Sequence, residues 1–327
     1  MKNAFLIVNP VSGKLKAKES LYQIIDRLTA AEILPTVMYT RHRGHASELA
    51  AGAAASGRYD ALIVVGGDGT LNEVNTGLEL AGLSIPVGYI PSGTTNDFAS
   101  GLGLALELPA AASDIADAMN SGKSLSLDIG RFGDERFFSY IASFGAFVNS
   151  SYSTPQAAKN ALGHFAYVLQ GIGDFFQIKP IHTVCEANGV KYEGDFIFGG
   201  VCNTFSVGGI VKLDESIVNL SDGMFEVVLV KNPKDLVEFN TLLGDLLVSN
   251  LDSDMLIFFK ANEVSFSIPE STDWTLDGEK AADVSNVKIK IVPGALDLLT
   301  ARRSNKNAAS EESSEEASEE PSEGSAE

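Results

Sequence analysis

Three short segments combine glycine, hydroxyl and acidic side chains in the way that phosphate chemistry requires. They are Asn9-Pro10-Val11-Ser12-Gly13-Lys14, Gly66-Gly67-Asp68-Gly69-Thr70-Leu71-Asn72 and Pro91-Ser92-Gly93-Thr94-Thr95-Asn96-Asp97-Phe98. The second follows a continuous apolar run at 61–65 and precedes a helical pattern at 71–80. Free backbone N–H groups at a helix start attract an anion, and glycines let it approach the backbone closely. The segment lacks the Gly-Lys-Ser/Thr of a P-loop. Asn72 stands where a dinucleotide fingerprint needs glycine. Asp68 is the informative residue. A carboxylate facing phosphates repels them unless a divalent cation lies nearby, and Mg²⁺ commonly takes one or two carboxylates together with substrate phosphates. Asp97 offers a second carboxylate. The first segment, a turn with Lys14 at its end, could face the same anion.

Two more acidic turns lie downstream, in Asn219-Leu220-Ser221-Asp222-Gly223-Met224 and Thr275-Leu276-Asp277-Gly278-Glu279. By themselves Asp222-Gly223 and Asp277-Gly278 are hairpin-turn signals between apolar runs. The four histidines (His42, His45, His164 and His182) show no metal-ligand spacing.

The elements that must position these residues change character along the chain. Up to about residue 126, short apolar runs at 4–8, 36–40, 61–65 and 87–90 alternate with helical patterns at 18–31, 45–56 and 71–80. That alternation predicts a Rossmann-like parallel α/β domain. Loops at the carboxyl ends of its strands are where ligands bind in such sheets. From 127 to 292, closely spaced strand patterns predict an antiparallel β-sandwich. Helical patterns at 159–176 and 235–248 interrupt it. Residues 293–303 are expected to return to the first domain. The tail at 304–327 is Ser, Glu and Ala with almost no large apolar residue. Such a segment cannot offset its ordering entropy, so disorder is expected there.

The 327 residues suit two domains of ordinary size. The formal charge of −19 excludes broad nucleic-acid binding; the tail, with eight Glu against one Lys, carries over a third of it. Cys185 and Cys202 are too few for a zinc site or a disulfide framework. No apolar run approaches the roughly 20 residues needed to span a bilayer, and the N-terminal run is shorter than a signal-peptide core. A cytoplasmic protein is therefore expected.

The second and third segments together resemble the bacterial soluble diacylglycerol kinases and related lipid kinases, whose catalytic domain is shared with sphingosine and ceramide kinases. The resemblance runs from Asn9 to about Pro293. It implies transfer of the γ-phosphoryl of ATP to diacylglycerol, with Mg²⁺. It implies nucleotide contacts from Asn9, Pro10, Val11, Ser12, Gly13, Lys14, Thr40, the segment from Gly66 to Asn72, and Thr94. It also implies that Asp68, Asp97 and Asp128 organise the catalytic Mg²⁺ through water, and that Lys159 matters for catalysis. A second, structural Mg²⁺ would be held by the Asp222 carboxylate and the carbonyls of Asn219 and Met224. Glu279 would be the base that takes the proton from the attacking hydroxyl. One departure stands out: the family's Pro and small residues before the structural Mg²⁺ loop are replaced here by Val211-Lys212-Leu213-Asp214-Glu215-Ser216-Ile217-Val218. The implied partner is a lipid met peripherally, at the inner face of the membrane, with a homodimer left open. Alternatives are a kinase for a sphingosine-like lipid or phosphatidylglycerol, an NAD kinase, and a non-catalytic nucleotide- or lipid-binding regulator.

Overall fold

A computed structural model describes residues 1–145, 179–207, 211–213 and 216–301. The expected helix at 159–176, Lys159 itself, the side chain of Lys14 and the acidic tail lie outside the described residues.

The first strands are β1 (Lys2–Val8), β2 (Ile33–Tyr39), β3 (Ala61–Gly66) and β4 (Val87–Pro91). They run parallel in the order β2-β1-β3-β4. Every residue of β3 is buried, because helices cover both faces and no position faces water. Those helices are α1 (Lys16–Ala30), α2 (His45–Ala55), α3 (Asp68–Ala81), α4 (Asp97–Gly101) and α5 (Leu108–Ser121). On α3, Leu71, Val74 and Leu78 fall on one face and are buried against the sheet.

Eleven more strands follow. They are β5 (Ser124–Phe132), β6 (Arg136–Phe138), β7 (Ile141–Gly145), β8 (Ile181–Ala187), β9 (Val190–Cys202), β10 (Ser206–Val207), β11 (Val211–Lys212), β12 (Phe225–Lys231), β13 (Leu256–Ala261), β14 (Glu263–Leu276) and β15 (Glu279–Leu299). A further helix, α6 (Leu236–Leu247), precedes β13. Asp235 caps it, accepting from the Val237 and Glu238 amides at 2.8 and 2.9 Å.

The expected fold class, a Rossmann-like α/β domain beside a β-sandwich, is overturned. Strands dominate the described residues, and all but the β10–β11 pair belong to one sheet of 13 strands. Its parallel strands are not a sheet of their own: β4 pairs with β15, at Leu298 and Val87. The antiparallel part is a closed barrel rather than two facing sheets. Strand β14 pairs with both β7 and β8, and β9 pairs with the same two, so the four strands form a ring. Register shifts between Ser267 and Thr272 in β14 and between Val292 and Leu296 in β15 supply the extra bend that closure needs. Apolar alternation looks the same in a sandwich and in a barrel, so sequence periodicity could not separate them. The barrel core is aromatic. Trp274 is wholly buried, with ring centroids 4.8 Å from Phe144 and 5.2 Å from Phe132 and Phe266.

Candidate active site

Parallel pairing aligns the ends of β1, β3 and β4: Val8 lies beside Val65, and Gly66 beside Pro91. The three glycine-bearing loops therefore leave the sheet together. They touch closely. Ser92 donates from Oγ to Ser12 Oγ at 3.1 Å, and Asn9 donates from Nδ2 to Thr70 Oγ1 at 3.0 Å. Gly13 has φ +55°, and a Cβ there would lie 1.9 Å from the Ser92 carbonyl oxygen. A Cβ on Gly93 would lie 2.8 Å from Gly67 Cα. These two positions need glycine for space, and Gly13 also for conformation. Thr40 stands at the end of β2, its amide donating to the Val8 carbonyl at 2.9 Å. Thr94 is exposed on the third loop.

Asp68 opens α3 and is nearly buried. Its Oδ1 accepts from the Tyr89 hydroxyl at 3.0 Å and its Oδ2 from the Asp97 amide at 2.8 Å. Burial, and next the negative charge of Asp97, push its carboxyl up from 3.8 to about 7; Asp277 adds to the effect. Such a cluster gains from a bound cation.

Asp128 was expected beside Asp68 and Asp97, and the structure puts its bonds elsewhere. Its Oδ1 accepts from the Gly294 amide at 2.8 Å and its Oδ2 from the Gly223 amide at 2.7 Å. Both oxygens thus tie the 219–224 loop to β15. After Asp97, Asp277 is the further carboxylate whose charge Asp68 feels, and sequence reasoning saw in it only a turn residue.

Asp277 and Gly278 form the two-residue turn between β14 and β15, with φ +49° and +78°. The Asp277 carboxylate is buried and reaches far beyond that turn. Oδ1 accepts from the Tyr140 and Ile141 amides at 2.9 and 3.2 Å, and Oδ2 from the Ser139 amide at 2.6 Å and Asn72 Nδ2 at 2.8 Å. It locks the hairpin onto α3, where the glycine loop ends. Glu279, the next residue but one, is thereby brought over Gly69: a Cβ there would meet Glu279 Oε1 at 2.0 Å. Arg43, also unforeseen, donates from a guanidinium nitrogen to Glu279 Oε2 at 3.2 Å. A cavity of about 220 Å³ opens beside this carboxylate, lined by Arg43, Gly69, Asn72, Phe137, Leu276 and Glu279 among others.

Gly69→Ala tests this packing. Alanine inside a helix is favoured over glycine by about 1 kcal/mol, and the displaced atom is the end of a flexible side chain. The expected result is an unchanged or raised Tm with turnover lowered at least tenfold. Circular dichroism melting and a transfer assay check both halves.

His42, His45 and Glu48 bring potential ligand atoms within 4.8 Å of one another. The Arg41 amide donates to His45 Nδ1 at 3.0 Å, so the neutral ring carries its proton on Nε2 and keeps no free lone pair. Among the described residues this group is therefore a poor metal ligand set.

Glycine loops at a helix start, a carboxylate cluster and an exposed carboxylate beside a cavity are the parts of an enzyme that transfers phosphoryl groups from a nucleotide. The comparisons with known proteins agree. Residues 3–132 match the diacylglycerol kinase catalytic domain. A diacylglycerol kinase of Bacillus subtilis (strain 168) is 34% identical over 283 residues, covering 85% of this chain and 90% of the relative. One of Staphylococcus carnosus (strain TM300) is 31% identical over 280 residues, covering 85% and 89%. A crystal structure of a diacylglycerol kinase from Bacillus anthracis str. Sterne shares the fold, with TM-score 0.68, 20% identity and coverage of 91% of this chain and 97% of that one. A second structure from that source, with the same coverage, reaches TM-score 0.75 at 22% identity. The chain belongs to the diacylglycerol kinase family and, as a kinase of that family, uses ATP.

Proposed function

We propose that this protein is an ATP-dependent diacylglycerol kinase that transfers the γ-phosphoryl group to the free hydroxyl of diacylglycerol, giving phosphatidic acid. The observation that carries this reading is Glu279 seated over Gly69: an exposed carboxylate beside the cavity stands where an anion-binding helix begins. Phosphoryl transfer is mainly positioning and charge neutralisation. Backbone amides from Gly66 to Asn72 and from Asn9 to Gly13 hold the phosphates, and Thr40 and Thr94 contact the rest of the nucleotide. Lys14 and Lys159 keep the roles that the resemblance implies. Glu279 accepts the proton of the attacking hydroxyl, which enters by the cavity beside it. In this reading Asp68 and Asp97 would hold Mg²⁺ through water. The ion supplies charge neutralisation on the phosphate oxygens. The raised pKa of Asp68 supports this fit. Asp277 and Asp128 act as positioning residues, the first for Glu279 and the second for the 219–224 loop.

Residues 1–126, joined by 293–303, form the nucleotide part in this reading, and 127–292 the lipid part. No helix among the described residues is long and apolar enough to cross a membrane. The lipid is met at the membrane surface, transiently and on the inner face.

The direct test is incubation with labelled ATP, Mg²⁺ and diacylglycerol in mixed micelles, against monoacylglycerol, sphingosine, phosphatidylglycerol and NAD. Labelled phosphatidic acid is the expected product. A folded protein that makes none while labelling another acceptor refutes the assignment.

Asp68 also predicts a pH dependence. Its carboxyl is raised on folding, so between about pH 4 and about pH 7 the native state holds a proton that the unfolded state has lost. Stability then falls as pH rises through that window and levels off above it. In Asp68→Asn, Oδ1 can accept from the Asp97 amide and Nδ2 can donate to the Tyr89 hydroxyl. Urea unfolding without nucleotide or metal should show a shallower decline for Asp68→Asn than for the wild type. Equal slopes would mean that Asp68 is not the group responsible.

A further inference from the structure

The loop at 219–224 is where the resemblance places a structural Mg²⁺, and a cation of another kind is already there. Lys260 Nζ lies 3.1 Å from Asp222 Oδ2 and 3.1 Å from Glu226 Oε1. Strand pairing sets this position: Lys260 on β13 is the register partner of Glu226 on β12. Glu226 is completely buried and needs a counter-charge. The other Asp222 oxygen is engaged too, accepting from the Met224 amide at 3.1 Å. The Asn219 carbonyl accepts from the Asp222 amide at 3.3 Å. Two of the expected metal donors are therefore in use within the protein.

The loop is also held without any ion. The Gly223 amide donates to Asp128 Oδ2 at 2.7 Å, and the Asp128 amide donates to the Leu220 carbonyl at 2.9 Å. Asn203 donates from Nδ2 to that carbonyl at 3.3 Å, and the Ser221 hydroxyl donates to the Ser126 carbonyl. Mg²⁺ demands near-ideal octahedral oxygen geometry and gives up its water reluctantly. It would also meet the ammonium charge at close range, on the same carboxylate.

We propose that in this protein the Lys260 ammonium is the resident cation of the 219–224 loop, in place of a divalent metal ion. The proposal does not depend on the catalytic reading above, and its test reads stability rather than turnover.

Thermal unfolding of the full chain, without nucleotide, is followed in EDTA and in millimolar MgCl₂ for the wild type and for Asp222→Asn. Mg²⁺ acting elsewhere moves both proteins alike, so the difference between their shifts reports the loop. A metal present there at about 100 times its Kd would raise the wild-type Tm by roughly 5 °C more than that of the variant. Shifts equal to within about 1 °C are expected. A wild-type excess near 5 °C overturns the proposal. Lys260→Met supplies the converse. Loss of the ammonium should lower the Tm in EDTA and create a Mg²⁺ response that Lys260→Met/Asp222→Asn lacks. A Lys260→Met protein that neither loses stability nor gains that response also overturns the proposal. Should this variant fail to fold, the comparison of wild type with Asp222→Asn decides alone.

Discussion

Glu279→Gln is expected to lower the rate of phosphoryl transfer about 10²–10⁴-fold, the usual worth of a positioned general base, and to leave ATP affinity nearly unchanged. Glutamine has the same length and can keep one oxygen toward Arg43. What it lacks is a basic site for the hydroxyl proton. The carboxylate stands over Gly69 with more than half of its side chain exposed, so its removal leaves no buried partner uncompensated. Little stability should be lost, and the ion pair with Arg43 is an exposed one of small worth. Single-turnover transfer and calorimetric titration with ATP separate chemistry from binding. Normal turnover would show that Glu279 is not the base. A large loss of ATP affinity instead would show that it serves the nucleotide.

Asp277→Asn is expected to act through a different route and to cost stability as well as rate. The two carboxylate oxygens divide four donors evenly between them: the Tyr140 and Ile141 amides, and the Ser139 amide with Asn72 Nδ2. An asparagine Oδ1 can serve one pair. Its amide nitrogen must then face the other pair, donor against donor, in a buried place. Leaving buried donors unsatisfied costs about 1–3 kcal/mol each, so a loss of roughly 3 kcal/mol and a fall in Tm of about 6–9 °C follow. The turn itself should survive, because asparagine accepts the positive φ that Asp277 adopts. Turnover should fall because the hairpin bearing Glu279 is no longer tied to α3. Denaturant unfolding beside the transfer assay checks this. A stable but inactive Asp277→Asn would place the carboxylate in the chemistry; a stable and active one would remove it from the site altogether.

The glycine loops were legible in the sequence because their demands are local. A strand end, a glycine that must admit an anion and a helix start lie within seven residues of each other, from Gly66 to Asn72. The turn at Asp277-Gly278 was legible for the same reason, since positive φ at two successive residues selects those types. Asp68 was rightly singled out as an awkward charge. Asp97 was paired with it as a second carboxylate, but Asp277 was not, because the approach of residue 277 to residues 68 and 97 depends on how distant strands register. Asp128 was grouped with Asp68 and Asp97 only through the resemblance; in the fold, where β5 pairs with β15, both its oxygens accept from backbone amides.

What only the tertiary structure decided is which distant groups meet. The chain's alternation of apolar and polar residues specified strands without specifying partners, so two layers and a closed ring were equally compatible with it. Closure came from β14 and β15, 14 and 21 residues long, with bulges that let them bend. The bond between Asn72 and Asp277 joins residues 205 apart in the chain. The ammonium of Lys260 stands across a strand pair from Glu226. Local backbone needs are written in a few adjacent residues. Register and burial are properties of the whole sheet, and in this protein they decide which carboxylate faces the nucleotide loop and which cation sits beside Asp222.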